Sequence, residues 1–274
     1  MEWKYLPDVS SAYDDKIIEI NEYIYFLKLL MKSNSHVVYQ EPALLYQTKH
    51  FNTNYKECNY YLSNTNTSTL RSSAILVIYN FIESISCALM RDIHTHISDC
   101  FKAYKNQNIN LTLNQLNIQL RKKIILYAKN KGDIEKCIID YLESTSTTLD
   151  TQIISQWITC IHGDPNSNNN QGFKWFNGNV DVKEIRETIL PYGINSKFFD
   201  ELKAKSGRAS SIYNIKKGRN ELAHGFITFK EYGNTKSIDE IEADFMNVQD
   251  FFNGLLDIVN NHLKLYGYLE NLDQ

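Results

Sequence analysis

An arginine and a histidine five residues apart form the stretch of this sequence best suited to chemistry. They are Arg219 and His224, in the run KKGRNELAHG at residues 216–225. Histidine exchanges protons near neutrality, because its unperturbed pKa is ~6.5. Arginine stays charged, and its planar guanidinium group can bind two phosphate oxygens at once. The pair therefore suits acid–base chemistry on a phosphate ester, with Arg219 stabilising negative charge in the transition state.

The spacing of the pair limits how it can form a site. At ~100° per residue, Arg219 and His224 lie about 140° apart around an ideal helix, too far for one narrow face. Asn220 and His224 are four residues apart and share a face. Either the helix ends near His224, as Gly225 suggests, or a second chain completes the site.

Ordinary structural roles compete with this interpretation. An arginine near the end of a helix commonly caps backbone carbonyls or pairs with a carboxylate, here Glu221 or Glu83. A histidine before a glycine at a helix end is commonly only a cap. From the residues alone, both alternatives stay open.

A second pair of polar residues interrupts an apolar helix predicted over residues 70–104. Asn80 and Glu83 lie three residues apart and therefore share a face. Polar groups inside such a helix need partners when they are buried. From the residues alone, a purely structural buried bond would satisfy them.

A local excess of positive charge precedes the motif. The chain has 29 Lys and Arg against 32 Asp and Glu, so its net charge of −3 does not indicate nucleic-acid binding. Between residues 197 and 219, however, basic residues clearly outnumber acidic ones. Arg208, Lys216 and Lys217 are therefore candidate phosphate contacts. A solvated charged face would look the same.

The sequence disfavours other chemistries. His94 and His96 diverge by ~200° on a helix, and the five cysteines never form a CxxC pair. No metal site or cofactor is therefore predicted. P-loop, GxGxxG and GxSxG motifs are absent, which disfavours nucleotide hydrolysis and acyl transfer. The unpaired cysteines and the lack of a secretory signal indicate the cytoplasm.

The elements that must position these residues are predicted to be helices. Only 11 Gly and 4 Pro occur, and 43% of the residues are hydrophobic, which favours an all-α fold. Residues 72–90 contain one charge, Glu83, and are predicted to be a buried core helix rather than a membrane span. Gly225 should end the motif helix, and Ser237 with Glu240 should open the last one. Helices are predicted at 14–32, 70–104, 113–130, 134–144, 149–162, 181–189, 196–205, 209–224 and 238–263.

These helices are predicted to form a single domain over residues 1–274. Residues 34–69 are interpreted as an irregular connection with one β-prone run at 37–39. Residues 99–179 hold additional helices and an Asn/Gly-rich loop insertion. Residues 180–270 form the part that carries the motif.

Several pieces of the chain together resemble the HEPN superfamily. The run RNELAH matches its R-x4–6-H motif. Residues 15–30 look like the first helix of a prokaryotic HEPN family from defence loci. IYNFIES at 78–84 looks like its LYNxxE-type second helix, and FNGNVD at 176–181 like its GNxD segment. Residues 34–69 and 99–172 match least.

The resemblance implies a helical bundle that pairs with a second copy, so that two Arg/His motifs meet in one cleft. It implies metal-independent cleavage of RNA, with the ribose 2′-OH as nucleophile and with Arg219, Asn220 and His224 in the site. It also implies that Asn80 and Glu83 lie beside this motif as supporting residues, where Glu83 is expected to orient Arg219 or His224. It also implies a toxin or anti-phage effector restrained by an antitoxin or another defence partner. The alternative is a non-catalytic HEPN dimer that serves as an assembly or regulatory module.

Overall fold

The computed structural model describes residues 3–32, 36–39, 58–61, 64–107, 112–129, 175–176, 178–204 and 207–269. Helices dominate this part of the chain, which confirms the predicted all-α class, and a small antiparallel sheet accompanies them. The helices are α1 (Pro7–Lys32), α2 (Asn64–Asn106), α3 (Ile118–Lys129), α4 (Val182–Ile189), α5 (Lys197–Ala204), α6 (Arg208–Ala223), α7 (Phe229–Thr235) and α8 (Ile238–Lys264), with 3₁₀ turns at Leu113–Gln115 and Leu190–Tyr192. The strands are β1 (His36–Tyr39) and β2 (Cys58–Tyr61).

Helix α2 is the central element, and α1, α6, α7 and α8 all pack against it. Ile78, Ile82, Ile85 and Leu89 repeat at helical spacing and are fully buried. The span Thr65–Ala103 is long and apolar enough to cross a membrane, but 61% of its most apolar window is buried inside the protein. Helix α2 therefore packs as a core helix, as the sequence predicted.

Helix α1 begins earlier than its sequence pattern indicates, at Pro7 rather than residue 14. The carboxylate of Asp92, on α2, accepts hydrogen bonds from the backbone N–H groups of Asp8 and Val9, each at 3.0 Å. These donors have no partner within their own helix, so Asp92 acts as a cap supplied by another helix. Pro7 suits the first turn, where its missing N–H is not needed.

Helix α8 closes the core against α2 through aromatic contacts. Phe245 and Phe252 meet the ring of Phe81 edge-on, at centroid distances of 5.7 and 5.6 Å. Such pairs typically add about 0.5–1.5 kcal/mol beyond the area they bury. The predicted capping box at Ser237 is confirmed, since Ser237 and Glu240 exchange both bonds. Helix α6 packs on both α2 and α8, so this core fixes the direction of the motif helix.

The connection before α2 is more regular than predicted. Strands β1 and β2 pair antiparallel, with His36 opposite Tyr61 and Tyr39 opposite Cys58. The β-prone run at 37–39 thus lies in a strand, and α2 begins at Asn64 rather than residue 70. The helices predicted at 134–144 and 149–162, and the loop at 163–174, lie outside the described residues. The single-domain assignment stays a prediction.

Candidate active site

The motif helix α6 ends where Gly225 predicts. His224 is the C-cap residue, and Gly225 follows it in the left-handed conformation, with φ of +70°. The N–H of Phe226 donates to the carbonyl of Glu221 at 3.0 Å, and that of Gly225 to the carbonyl of Leu222 at 3.3 Å. These two bonds form a Schellman motif, which fixes the chain as it leaves the helix. The side chain of His224 is consequently exposed at a rigid helix end.

The guanidinium group of Arg219 lies over the ring of Tyr79, a buried residue of α2. Its central carbon is 4.8 Å from the ring centroid, within the range of a cation–π contact. Its Nη1 atom also donates to Oδ1 of Asn220 at 3.0 Å. Two contacts of different kinds therefore orient the half-buried Arg219 side chain.

The hydroxyl of Tyr79 ties the segment before α4 to helix α2. It donates to the carbonyl of Gly178 at 3.0 Å and accepts from the backbone N–H of Val180 at 2.9 Å. Burial raises the pKa of Tyr79, although its bond from Val180 and the charge of Arg219 act against the rise. The phenol therefore stays neutral and keeps both bonds near neutral pH.

The same segment is bonded to α6 at two positions one helical turn apart. Asn220 donates through Nδ2 to Oδ1 of Asn179 at 2.8 Å. Lys216 forms an ion pair with Asp181 at 2.6 Å. Tyr79, the segment 178–181, Asn220 and Arg219 thus close a ring of contacts around the motif. Three of the four sequence pieces quoted for the HEPN resemblance contribute residues to this ring.

Asp181 has a second role at the start of α4. It accepts from the backbone N–H of Glu184 at 2.8 Å and so caps the helix. Burial raises the pKa of Asp181, but Lys216 and the N–H of Glu184 outweigh it, and the net pKa is lowered. The ionised carboxylate therefore holds both the helix end and Lys216.

A glycine inside the motif allows close packing behind Arg219. A Cβ atom at Gly218 would lie 2.0 Å from the hydroxyl oxygen of Tyr232, on α7. No real Cβ contact is that short, so only glycine leaves room for Tyr232 here. This packing holds α7 against the buried side of α6.

The expected supporting residues lie near the motif without touching it. Asn80 is exposed, so it needs no buried partner. Glu83 is half-buried and, among the described residues, makes no hydrogen bond or ion pair with Arg219 or His224. Its charge is close enough to contribute to the raised pKa of Tyr79. Tyr79 occupies the position beside Arg219 that the sequence analysis expected for Glu83.

Each candidate phosphate contact is paired with a carboxylate. Arg208 bonds to Asp250 at 2.9 Å, and Lys216 to Asp181 as described. Lys217 lies 3.8 Å from Glu221, and its side chain is 60% exposed. Since exposed pairs of this length contribute little, Lys217 is the most available of the three cations.

The two histidines of α2, His94 and His96, contact different residues. His94 bonds to the hydroxyl of Tyr192 at 2.5 Å and stacks on Trp175. His96 meets the hydroxyl of Tyr268 at 3.3 Å. Within the described residues, no group of three His, Cys, Asp or Glu side chains could hold a metal ion.

Replacing Tyr79 with phenylalanine should destabilise the protein by about 1–3 kcal/mol, because the carbonyl of Gly178 and the buried N–H of Val180 lose their partner. Phenylalanine keeps the ring under Arg219, so the orientation of the Arg219 side chain should change little. Urea unfolding of wild type and variant measures the difference. Tyr213→Phe is the control, since Tyr213 is 59% exposed and should change stability by less than ~0.5 kcal/mol. Equal unfolding midpoints for Tyr79→Phe and wild type would contradict the anchoring role.

A comparison with protein-family models matches residues 40–261 to the family described as RiboL-PSP-HEPN. The match begins after α1 and includes Tyr79, Arg219 and His224, without assigning a role to any of them. Comparisons with curated proteins and with solved structures found no match. HEPN-domain proteins are often related to ribonucleases. Since the matched region covers well over half of the 274 residues, the chain belongs to the RiboL-PSP-HEPN family.

Proposed function

We propose that this chain is a metal-independent endoribonuclease in which Arg219, Asn220 and His224 act on a phosphodiester of RNA. One observation carries the proposal: Tyr79 and Asn220 orient the guanidinium group of Arg219 on the helix whose rigid end carries the exposed His224. A structural arginine at this place would commonly cap helix carbonyls or pair with a carboxylate. Among the described residues, Arg219 has none within ion-pair distance.

The proposed reaction uses the ribose 2′-OH as nucleophile. Its oxygen attacks the adjacent phosphorus, and the 5′-oxygen of the next nucleotide leaves. The products are a 2′,3′-cyclic phosphate and a free 5′-hydroxyl. His224 takes the proton from the nucleophile or donates one to the leaving oxygen. Arg219 binds the phosphate oxygens, whose charge grows in the transition state. Proton transfer and charge stabilisation are thus both provided by side chains.

We also propose a homodimer in which the motifs of two copies face one cleft. The angular separation of Arg219 and His224 supports this assembly, because the two side chains leave α6 in different directions. In the cytoplasm such an enzyme would serve as a toxin or anti-phage effector, restrained by an antitoxin or by a partner that senses infection. RNA is the proposed substrate.

Cleavage should persist in EDTA and leave 2′,3′-cyclic phosphate ends. The test incubates the purified protein with total RNA in excess EDTA, and then identifies the ends by phosphatase and kinase treatment. Strict dependence on Mg²⁺ with 5′-phosphate products would overturn the mechanism. If the folded protein cleaves no RNA with or without EDTA, the non-catalytic module is the better explanation.

A further inference from the structure

Phe226 is a large apolar side chain held in solvent directly beside the motif. It is 80% exposed, and its ring centroid lies 5.7 Å from that of His224. Its backbone is fixed by the Schellman bond to Glu221. Because this position follows a left-handed glycine at a helix end, the ring is presented by rigid backbone. Single exposed aromatics are common on protein surfaces. This one adjoins a candidate catalytic histidine.

An open groove of about 460 Å³ begins at this ring. It is lined by Glu221, Phe226, Ile227, Glu231 and Thr235. The volume lies in the range of small-ligand sites. Glu231 uses Oε2 to cap α7 through Thr228, at 2.9 Å to N and 2.7 Å to Oγ1. Among the described residues, the one ion pair of Glu221 is its 3.8 Å contact with the exposed Lys217, so its carboxylate is available to a ligand.

His224 lies between this groove and Arg219 around the axis of α6. At ~100° per residue, Arg219 lies about 140° to one side of His224, and Glu221 about 60° to the other. In the proposed cleft between two copies, a strand of RNA crossing the helix end could therefore meet a guanidinium group with its phosphate and this groove with a base. The acid–base residue would then stand between them.

We propose that Phe226 and Glu221 form a base-binding subsite that favours guanine next to the cleaved phosphate. The inference rests on the proposed ribonuclease function and names the substrate feature that this site would read. Single-stranded bases commonly stack on aromatic side chains, and their Watson–Crick edges are then free for hydrogen bonds. Phe226 provides the stacking surface, and the Glu221 carboxylate provides the acceptors.

The carboxylate selects among bases by their donors. Guanine presents N1–H and the 2-amino group side by side, and both can donate to one carboxylate. Adenine and cytosine present one amino group beside a ring nitrogen acceptor. Uracil presents one N–H between two carbonyl oxygens, which a carboxylate repels. One bidentate contact typically discriminates by about fivefold to 160-fold in binding.

The test measures binding without cleavage. Short RNAs carry 2′-O-methyl groups, which block the nucleophile, and one position at a time holds guanine, adenine, cytosine, uracil or hypoxanthine. Fluorescence anisotropy gives the dissociation constants. At one position, guanine should bind at least ~10-fold more tightly than uracil, and hypoxanthine should lose most of the preference, since it lacks the 2-amino group. Phe226→Leu and Glu221→Gln should reduce the preference to within about threefold.

Two variants serve as matched controls. Tyr213→Leu removes another exposed aromatic from α6, and Glu187→Gln removes a carboxylate from an exposed pair with Lys183. Both should keep the wild-type base preference.

The subsite is wrong if wild type shows no base preference, or if Phe226→Leu keeps it. A changed oligomeric state of Phe226→Leu with unchanged base preference would assign the ring to a contact between copies. Base preference without any RNA cleavage would defeat the proposed function alone, and cleavage without base preference would defeat the subsite alone.

Discussion

Replacing His224 with alanine is expected to reduce RNA cleavage by about 10²–10⁴-fold, the usual effect of losing a positioned proton donor or acceptor. Stability should change little, because the side chain is exposed and the helix ends through the backbone bonds of Gly225 and Phe226. The measurement is kcat on a short RNA, with urea unfolding of the same samples. His224→Gln keeps a polar side chain but cannot transfer a proton near neutrality, so it should be as inactive as alanine.

A matched control comes from the end of α8. Leu265 is the C-cap residue of α8 and is 76% exposed. The next residue, Tyr266, is in the left-handed conformation, as Gly225 is after His224. Leu265→Ala should cleave like wild type. In cells, expression of wild type should slow growth and degrade RNA, and His224→Ala should do neither. If His224→Ala cleaves as fast as wild type, or unfolds the protein, His224 is a structural cap and the regulatory-module explanation takes over.

Most helices could be predicted because their signals are local. Helix α8 has an uninterrupted apolar face and a capping box, and α6 ends at a glycine that L-residues replace poorly. The start of α1 could not be predicted. Its cap, Asp92, stands 84 residues from Asp8 in the sequence, and no local pattern links them. The pairing of β1 with β2 could not be predicted for the same reason, because its register depends on two segments that are distant in the sequence.

The candidate site could be predicted only in part. Arg219, Asn220 and His224 share one short motif, so the sequence could group them. Tyr79 was missed, although a tyrosine inside an apolar helix signals a hydroxyl that needs a partner. Glu83 was predicted instead, because it is the single charged residue between residues 72 and 90. The structure leaves Glu83 half-exposed, where water can solvate it, and places the aromatic ring under Arg219.

The number of basic side chains near α6 that are available to a phosphate also depends on folding. A count of basic residues before the motif suggested a phosphate-binding rim, but Arg208 and Lys216 are paired with Asp250 and Asp181. The carboxylates come from α8 and from the cap of α4, so the count along one segment could not anticipate them. The pairs leave Arg219 as the oriented cation and Lys217 as the exposed one. We therefore expect substitution of Arg219 to lower mainly the rate of cleavage and substitution of Lys217 to weaken mainly RNA binding.

Replacing Arg219 with lysine is expected to lower kcat by about 10²-fold while changing RNA affinity by less than about tenfold. Lysine keeps the charge over Tyr79 but loses the planar group that donates to Asn220 and that, in the proposed mechanism, also binds phosphate oxygens. Lys217→Ala should do the reverse, weakening binding and flattening its salt dependence with kcat nearly unchanged. Arg91→Lys, an exposed arginine of α2 paired with Asp8, is the control and should match wild type.

The same variant tests whether two copies share one cleft. Co-expressed Arg219→Lys and His224→Ala chains form mixed dimers that retain one intact arginine and one intact histidine. If the motifs of both copies act in a single cleft, the mixture should cleave RNA measurably faster than either variant alone. If each chain holds a complete site, every site in the mixture lacks one group, and activity should stay at the level of the separate variants. That second result would overturn the shared cleft and leave the proposed roles of Arg219 and His224 to be judged on their own kinetics.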